Sequence, residues 1–253
     1  MVYTPGIYLG IDPTASRFPY TWAVLDEDCR LLALTGGEVE ELLAFLEGQD
    51  TCLAAINAPA GPNRGLVRTK LMQAQVSTNL RGADMRLVEH LLRERGISVP
   101  PTPSRRENCA AWMQMGFLLH ERMAQTGFTR FPGGEAGRQW IETNSHAAYC
   151  TLLGKIPLPK PTLEGRLQRQ LAIHDRGGDI GDPMEFFEEI TRHKILHGSL
   201  PMEYIRSAEE LDALAAAFSA WMVINVPGET MLLGDGEEGQ MVLPVKALVD
   251  HYN

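Results

Sequence analysis

Four polar residues close or open apolar runs at places where a polar side chain needs a reason. Asp12 follows Ile7 to Ile11, Asn57 follows Cys52 to Ile56, and Glu142 ends Arg138 to Glu142. Asp212 lies near the start of a long helical stretch. Three carboxylates and an amide brought to one point would offer hard oxygen ligands to Mg²⁺ or Mn²⁺. Such a site supports phosphoryl transfer in which two ions about 4 Å apart activate water and stabilise the leaving oxygen. Each residue also has a structural use. Asp12 before Pro13 suits a turn, and Asn57 before Ala58-Pro59 suits a cap. Glu142 suits pairing with an arginine, and Asp212 suits the positive end of a helix.

The elements that must position these residues can be read from periodicity. Ile7, Leu9 and Ile11 alternate with Tyr8, Gly10 and Asp12, which predicts a strand. Tyr20 to Leu25 predicts a second strand, Asp26-Glu27-Asp28 a turn, and Arg30 to Thr35 a third strand. Gly36-Gly37 is expected to break the chain. Val39, Leu42, Leu43 and Leu46 have helical spacing. Cys52 to Ile56 is wholly apolar, as a central strand covered on both faces would be. The chain therefore begins β-β-β-α-β, the start of an α/β protein whose mixed sheet is flanked by helices. Strand ends in such a sheet line one edge, where distant residues converge.

The middle of the chain predicts helices over residues 71–95 and 108–125, with stiff proline breaks at Pro100, Pro101 and Pro103. Arg138 to Glu142 predicts a short strand, and Asn144 to Leu153 a helix ended by Gly154. Pro157, Pro159 and Pro161 impose an extended link before helices over residues 163–173 and 183–196. Ser207 and Glu210 form a capping box for a last long helix. Leu211, Leu214, Ala215, Phe218 and Met222 form its apolar stripe. Asp212, Ala216 and Ala220 form a small-residue row that allows close approach to a sheet, with Asp212 pointing inward. Residues 230–233 and 240–245 pair as a hairpin. The whole reads as one domain, residues 1–253, carrying a helical, basic insertion over residues 63–135.

Composition narrows the function classes. The chain has 253 residues, 44% hydrophobic and 22% charged, which is the mix of a folded globular protein rather than a coiled coil, a collagen or a disordered tail. The formal charge of −9 argues against a uniformly basic nucleic-acid binder. Its distribution is uneven, however: residues 64–106 carry nine basic and three acidic side chains. Cys29, Cys52, Cys109 and Cys150 are dispersed, so no CxxC motif exists, and buried thiols in a reducing compartment are expected. No signal peptide opens the sequence, and its most apolar stretch, residues 211–226, is shorter than the ~20 residues a bilayer span needs. A cytoplasmic protein with no membrane partner is expected. His193 and His197 have helical ligand spacing but lack the neighbouring glutamate of a metalloprotease helix, so they are read as surface or packing residues.

One ordered set of motifs goes further. Gly10-Ile11-Asp12 is followed by Ile56-Asn57-Ala58-Pro59 with Pro62-Asn63, and then by Arg81-Gly82-Ala83-Asp84. Trp140-Ile141-Glu142 with His146 comes next, then Glu210-Leu211-Asp212-Ala213-Leu214, then Gly234 to Gly239 before Val242-Leu243-Pro244. The set resembles, over nearly the whole chain, a family of predicted nucleases with an RNase H-like fold, domain of unknown function 429. The resemblance implies Mg²⁺- or Mn²⁺-dependent hydrolysis of nucleic-acid phosphodiesters. Asp12 would bridge the metals, Glu142 and Asp212 would be further ligands, and Asn57 would complete the catalytic set. This sequence departs from the motif at Asn57, where the family carries an aspartate. An amide ligates without charge, which weakens a second metal site; Asp84 and Glu164 are candidates to compensate. Arg64, Arg81, Arg105, Arg106 and Arg166 are the expected phosphate contacts, because guanidinium forks fit phosphate oxygens. The alternative expectation is a catalytically weakened nucleic-acid-binding or scaffold protein on the same fold. An ATPase on a related sheet is disfavoured by the absence of a glycine-rich phosphate loop after the first strand.

Overall fold

Side chains alternate between the two faces of a strand, and here both faces are covered. The computed structural model describes residues 4–14, 18–75, 83–133 and 137–253. Its strands are β1 (Ile7–Asp12), β2 (Tyr20–Leu25), β3 (Leu31–Gly37), β4 (Cys52–Ile56), β5 (Thr129–Arg130), β6 (Arg138–Glu142), β7 (Met231–Asp235) and β8 (Gly239–Leu243). Its α-helices are α1 (Val39–Glu47), α2 (Leu66–Gln73), α3 (Leu87–Glu94), α4 (Ala111–Gln125), α5 (Ser145–Leu153), α6 (Leu163–His174), α7 (Glu185–His197) and α8 (Ala208–Asn225).

The eight strands form one mixed sheet in the order β3-β2-β1-β4-β6-β8-β7, with β5 beside β6. The first three strands are an antiparallel meander, whereas β1, β4, β6 and β8 run parallel. Leu9, Ile11, Trp22, Val24, Cys52, Ala54 and Ile56 face one core, closed by Leu42, Leu43 and Leu46 of α1 and Leu119 and Met123 of α4. Tyr8, Ala23, Leu25, Leu53, Ala55 and Ile141 face the other, closed by α5, α6 and α8. A third core joins Val88 and Leu92 of α3 to Met241 and Leu243 of β8. All four cysteines are free and buried.

Helix α8 lies unusually close to the sheet, and Gly10 explains it. A Cβ on Gly10 would stand 1.9 Å from the Ala213 carbonyl oxygen and 2.1 Å from the Ala217 nitrogen. The alanines of α8 thus touch β1 backbone to backbone, through Ala213 and Ala217 as well as Ala216 of the expected row, and this closeness brings Asp212 to the end of β1. The capping box forms as expected: Ser207 accepts from the Glu210 N–H at 3.2 Å, and the Ser207 N–H donates to Glu210 at 2.6 Å.

Two expected elements differ. Gly36 and Gly37 do not break the chain but continue β3, paired with Thr21 and Tyr20. Their lack of side chains is what allows it, since a Cβ on Gly36 would meet the Phe18 ring at 2.5 Å. Residues 71–95 are not one helix: α2 ends at Gln73, Gln75 takes a left-handed φ of 55°, and α3 starts at Leu87. Within the expected insertion, α4 packs into the main sheet core through Leu119 and Met123.

Candidate functional site

The parallel strands deliver their C-terminal ends to one edge, and the ladder continues past them. The Asn57 N–H donates to the Ile11 carbonyl at 2.8 Å, and the Thr143 N–H donates to the Ile56 carbonyl at 3.0 Å. Asp12, Asn57 and Glu142 therefore all reach this edge. Register then separates them. Ile11 pairs with Ile56, but Ile56 pairs with Glu142 rather than with Ile141. Because side chains alternate, Asp12 and Asn57 point to the α8 face, whereas Glu142 shares the opposite face with Ile56.

On the α8 face, Asp12, Asn57, Asp212 and Lys160 line a cleft of about 270 Å³, whose walls also include Pro100, Trp112 and Ser145. The Asn57 side-chain amide holds two neighbours at once. Its Nδ2 donates to Asp12 Oδ1 at 2.7 Å, and its Oδ1 accepts the Ser145 backbone N–H at 2.8 Å, at the start of α5. Lys160 donates through Nζ to Asp212 Oδ2. Asp12 is only 3% exposed, and its Oδ2 has no hydrogen-bond partner. A buried carboxylate oxygen left without a partner is costly. Burial raises the Asp12 pKa well above the usual carboxylate range, the charge of Asp212 raises it further, and Asn57 and Lys160 oppose the shift. Asp12 and Asp212 are the carboxylates of this cleft that could hold a hard cation.

On the other face, Glu142 is fully engaged. Arg86 grips it with two nitrogens, at 2.5 and 3.0 Å, and the Ala60 N–H donates to it at 2.9 Å. Arg86 also bonds Glu89 at 2.8 Å, and Glu89 in turn accepts from the Thr102 N–H and hydroxyl. Burial alone would lower the Arg86 pKa, but Glu142 and Glu89 outweigh it and raise the value. Gly239 leaves the room required, because a Cβ there would stand 2.8 Å from Arg86 Nη1. The expected metal set of Asp12, Glu142 and Asp212 is therefore not gathered; Glu142 belongs to a separate buried ion cluster. Among the described residues, no group of three His, Cys, Asp or Glu side chains is placed to hold a metal ion. The candidates to compensate for Asn57 do not line the cleft either: Asp84 pairs with Arg68 at the surface, and Glu164 lies in the first turn of α6.

The expected phosphate contacts are placed unequally. Arg166 donates from Nε to the Arg206 carbonyl at 2.8 Å and from Nη2 to the Ile205 carbonyl at 3.0 Å, which pins the segment entering α8. Arg106 is paired with Glu121. Arg64 and Arg105 are exposed. They sit on segments joined by a hydrogen bond from the Asn63 N–H to the Pro103 carbonyl. Arg81 lies outside the described residues, as does the side chain of His193. Among the described residues, no helix is long and apolar enough to cross a membrane.

Two further groups carry the architecture of the site, and local sequence patterns gave little sign of them. Glu238, at the tip of the β7–β8 hairpin, accepts the backbone N–H groups of Arg64 at 2.8 Å and Leu87 at 2.7 Å, fixing the starts of α2 and α3. Lys160 stands in the sequence between two prolines and close to Arg166 and Arg169, which suggests a phosphate contact rather than a carboxylate partner. No curated protein and no solved structure matches the chain. The family described as "Protein of unknown function (DUF429)" matches residues 10–238, from the glycine beneath α8 to the glutamate at the hairpin tip. The chain belongs to the DUF429 family.

Proposed function

We propose that the protein is a metal-dependent hydrolase of nucleic-acid phosphodiesters, working in the cleft between the ends of β1 and β4 and the first turn of α8. The observation that carries this reading is the partnerless, buried Oδ2 of Asp12 facing a cleft shared with Asp212. The strand order, an antiparallel meander leading into parallel β4 and β6, is what an RNase H-like fold would have and supports the same reading. Asp12 and Asp212 would hold one Mg²⁺ or Mn²⁺. When bound, the ion would acidify a water and neutralise phosphate charge. Asn57 fixes the Asp12 carboxylate and ties it to the start of α5. Arg64 and Arg105, exposed on neighbouring segments, would grip the phosphates of the substrate strand. The test is cleavage of labelled single- and double-stranded DNA and RNA with Mg²⁺ or Mn²⁺. Cleavage should vanish with chelator and in Asp12→Ala; cleavage that persists in Asp12→Ala would overturn the assignment.

A second reading has its own observation. Glu142 is locked to Arg86, and both ends of the Asn57 amide are occupied, so the cleft has fewer free ligands than two-metal catalysis uses. On that reading the protein binds nucleic acid without turnover. Binding that weakens steeply with salt, with no product at any metal concentration, would favour it.

A further inference from the structure

Lys160 is presented to the acidic cleft by a segment braced on both sides. It lies between Pro159 and Pro161, with Pro157 two residues further back. The Leu158 N–H donates to Gln168 Oε1 at 2.7 Å, and the Leu158 carbonyl accepts from Arg169 Nη1 at 2.8 Å. Arg169 itself is buried. On the far side of the lysine, the Thr162 hydroxyl donates to the Pro159 carbonyl at 2.9 Å. Helix α6 comes so close that a Cβ on Gly165 would stand 2.0 Å from the Pro159 oxygen. A lysine that merely decorated a surface loop would need none of this. The side chain ends with its ammonium on Asp212 Oδ2, while Asp12 Oδ2 stays without a partner.

Charge decides what this ammonium does. The cleft holds two carboxylates and one ammonium, with Asn57 neutral and Glu142 on the opposite face of the sheet. With those groups at about −1, one divalent cation leaves about +1, whereas two would leave about +3 with too few ligands. We infer that Lys160 is a built-in cation standing in the place of a second metal ion, so that the cleft takes one divalent cation, on the Asp12 side. This rests on the hydrolase reading above for the identity of the cleft. It assigns Lys160 a role that the motif residues do not include: it offsets Asp212 permanently and sets the metal stoichiometry at one.

The test is Mn²⁺ titration of the full chain by calorimetry and electron paramagnetic resonance, for the wild type, Lys160→Met and Lys160→Arg. The wild type should bind one Mn²⁺. Lys160→Met should bind a second ion, or bind the first about ten-fold more tightly. Lys160→Arg, which keeps the charge, should behave as the wild type; thermal melts show that each variant is folded. If wild type and Lys160→Met bind Mn²⁺ with the same stoichiometry and affinity, the inference falls and the hydrolase reading stands. If Lys160→Met binds Mn²⁺ and the wild type does not, the inferred stoichiometry of one falls, and metal-dependent hydrolysis falls with it. If neither binds, both fall.

Discussion

Two groups of carboxylates sit at the same edge of the sheet and are treated in opposite ways. Glu142 and Glu89 are buried with Arg86 between them, and backbone N–H groups from Ala60 and Thr102 complete their hydrogen bonds. Asp212 is held by the Lys160 ammonium and Asp12 by the Asn57 amide, and Asp12 keeps an oxygen with no partner in an open cleft. The first group has the completeness of a structural cluster, in which every carboxylate oxygen is hydrogen-bonded inside the protein. The second is incomplete within the protein, and it is there that the proposed cation would bind. The difference is one of chemistry already satisfied against chemistry left open, in two groups at the ends of β1 and β6, with β4 between them.

Removing charge partners should separate the two groups. Arg86→Ala leaves two buried carboxylates facing each other and should cost about 3–5 kcal/mol of stability in urea unfolding. A loss below about 1 kcal/mol would mean that the cluster is not structural. Asn57→Asp is the next largest effect. It removes the donor to Asp12 and adds a third carboxylate to the cleft, so the metal-free protein should lose about 3 kcal/mol. Mn²⁺ should recover most of that, because ligand binding to the native state stabilises it. Destabilisation that Mn²⁺ leaves untouched would make Asn57 a purely structural residue.

The closed side of the sheet has its own pH signature. His120 of α4 is buried against the Trp140 ring, with centroids 4.4 Å apart. Burial lowers its pKa from 6.5 to about 3. The unfolded chain takes up that proton near pH 6.5, whereas the native chain resists it until about pH 3. Stability is therefore lost as pH falls through this window, by about 1.4 kcal/mol per pH unit for one proton. Chemical denaturation at a series of pH values should show this slope in the wild type and a shallower one in His120→Leu. The smallest effect belongs to the open side. Asp12→Asn keeps the shape and the bond to Asn57 while removing like-charge repulsion with Asp212, so stability should hold or rise by up to about 1 kcal/mol. A clear loss of stability would place Asp12 among the structural carboxylates.

Much of this architecture is legible in the sequence. Cys52 to Ile56 and Arg138 to Glu142 stand out as short strands because no turn residue interrupts them, and the helix from Ala208 announces itself through Ser207 and Glu210. The ends of these elements, and hence Asp12, Asn57 and Asp212 as neighbours, follow from the order β-β-β-α-β and the small row on α8. What local pattern cannot supply is register. Ile56-Asn57 and Ile141-Glu142 look equivalent as strand ends, yet the pairing of Ile56 with Glu142 offsets them by one residue and sends their polar side chains to opposite faces. Partners chosen over long sequence distances are hidden for the same reason. Arg86 meets Glu142 and Lys160 meets Asp212 only once the sheet, α3 and α6 have packed. Gly36-Gly37 misleads because the need for glycine there comes from the Phe18 ring at Gly36 and the Glu41 side chain at Gly37 rather than from a turn.

The most direct test of the cleft is a crystal structure of the protein grown with Mn²⁺. One anomalous peak is expected within about 2.0–2.5 Å of carboxylate oxygens of Asp12 and Asp212, with Arg86 still holding Glu142. A structure with no peak there, or with the ion on Glu142 and Arg86 displaced, would contradict this assignment.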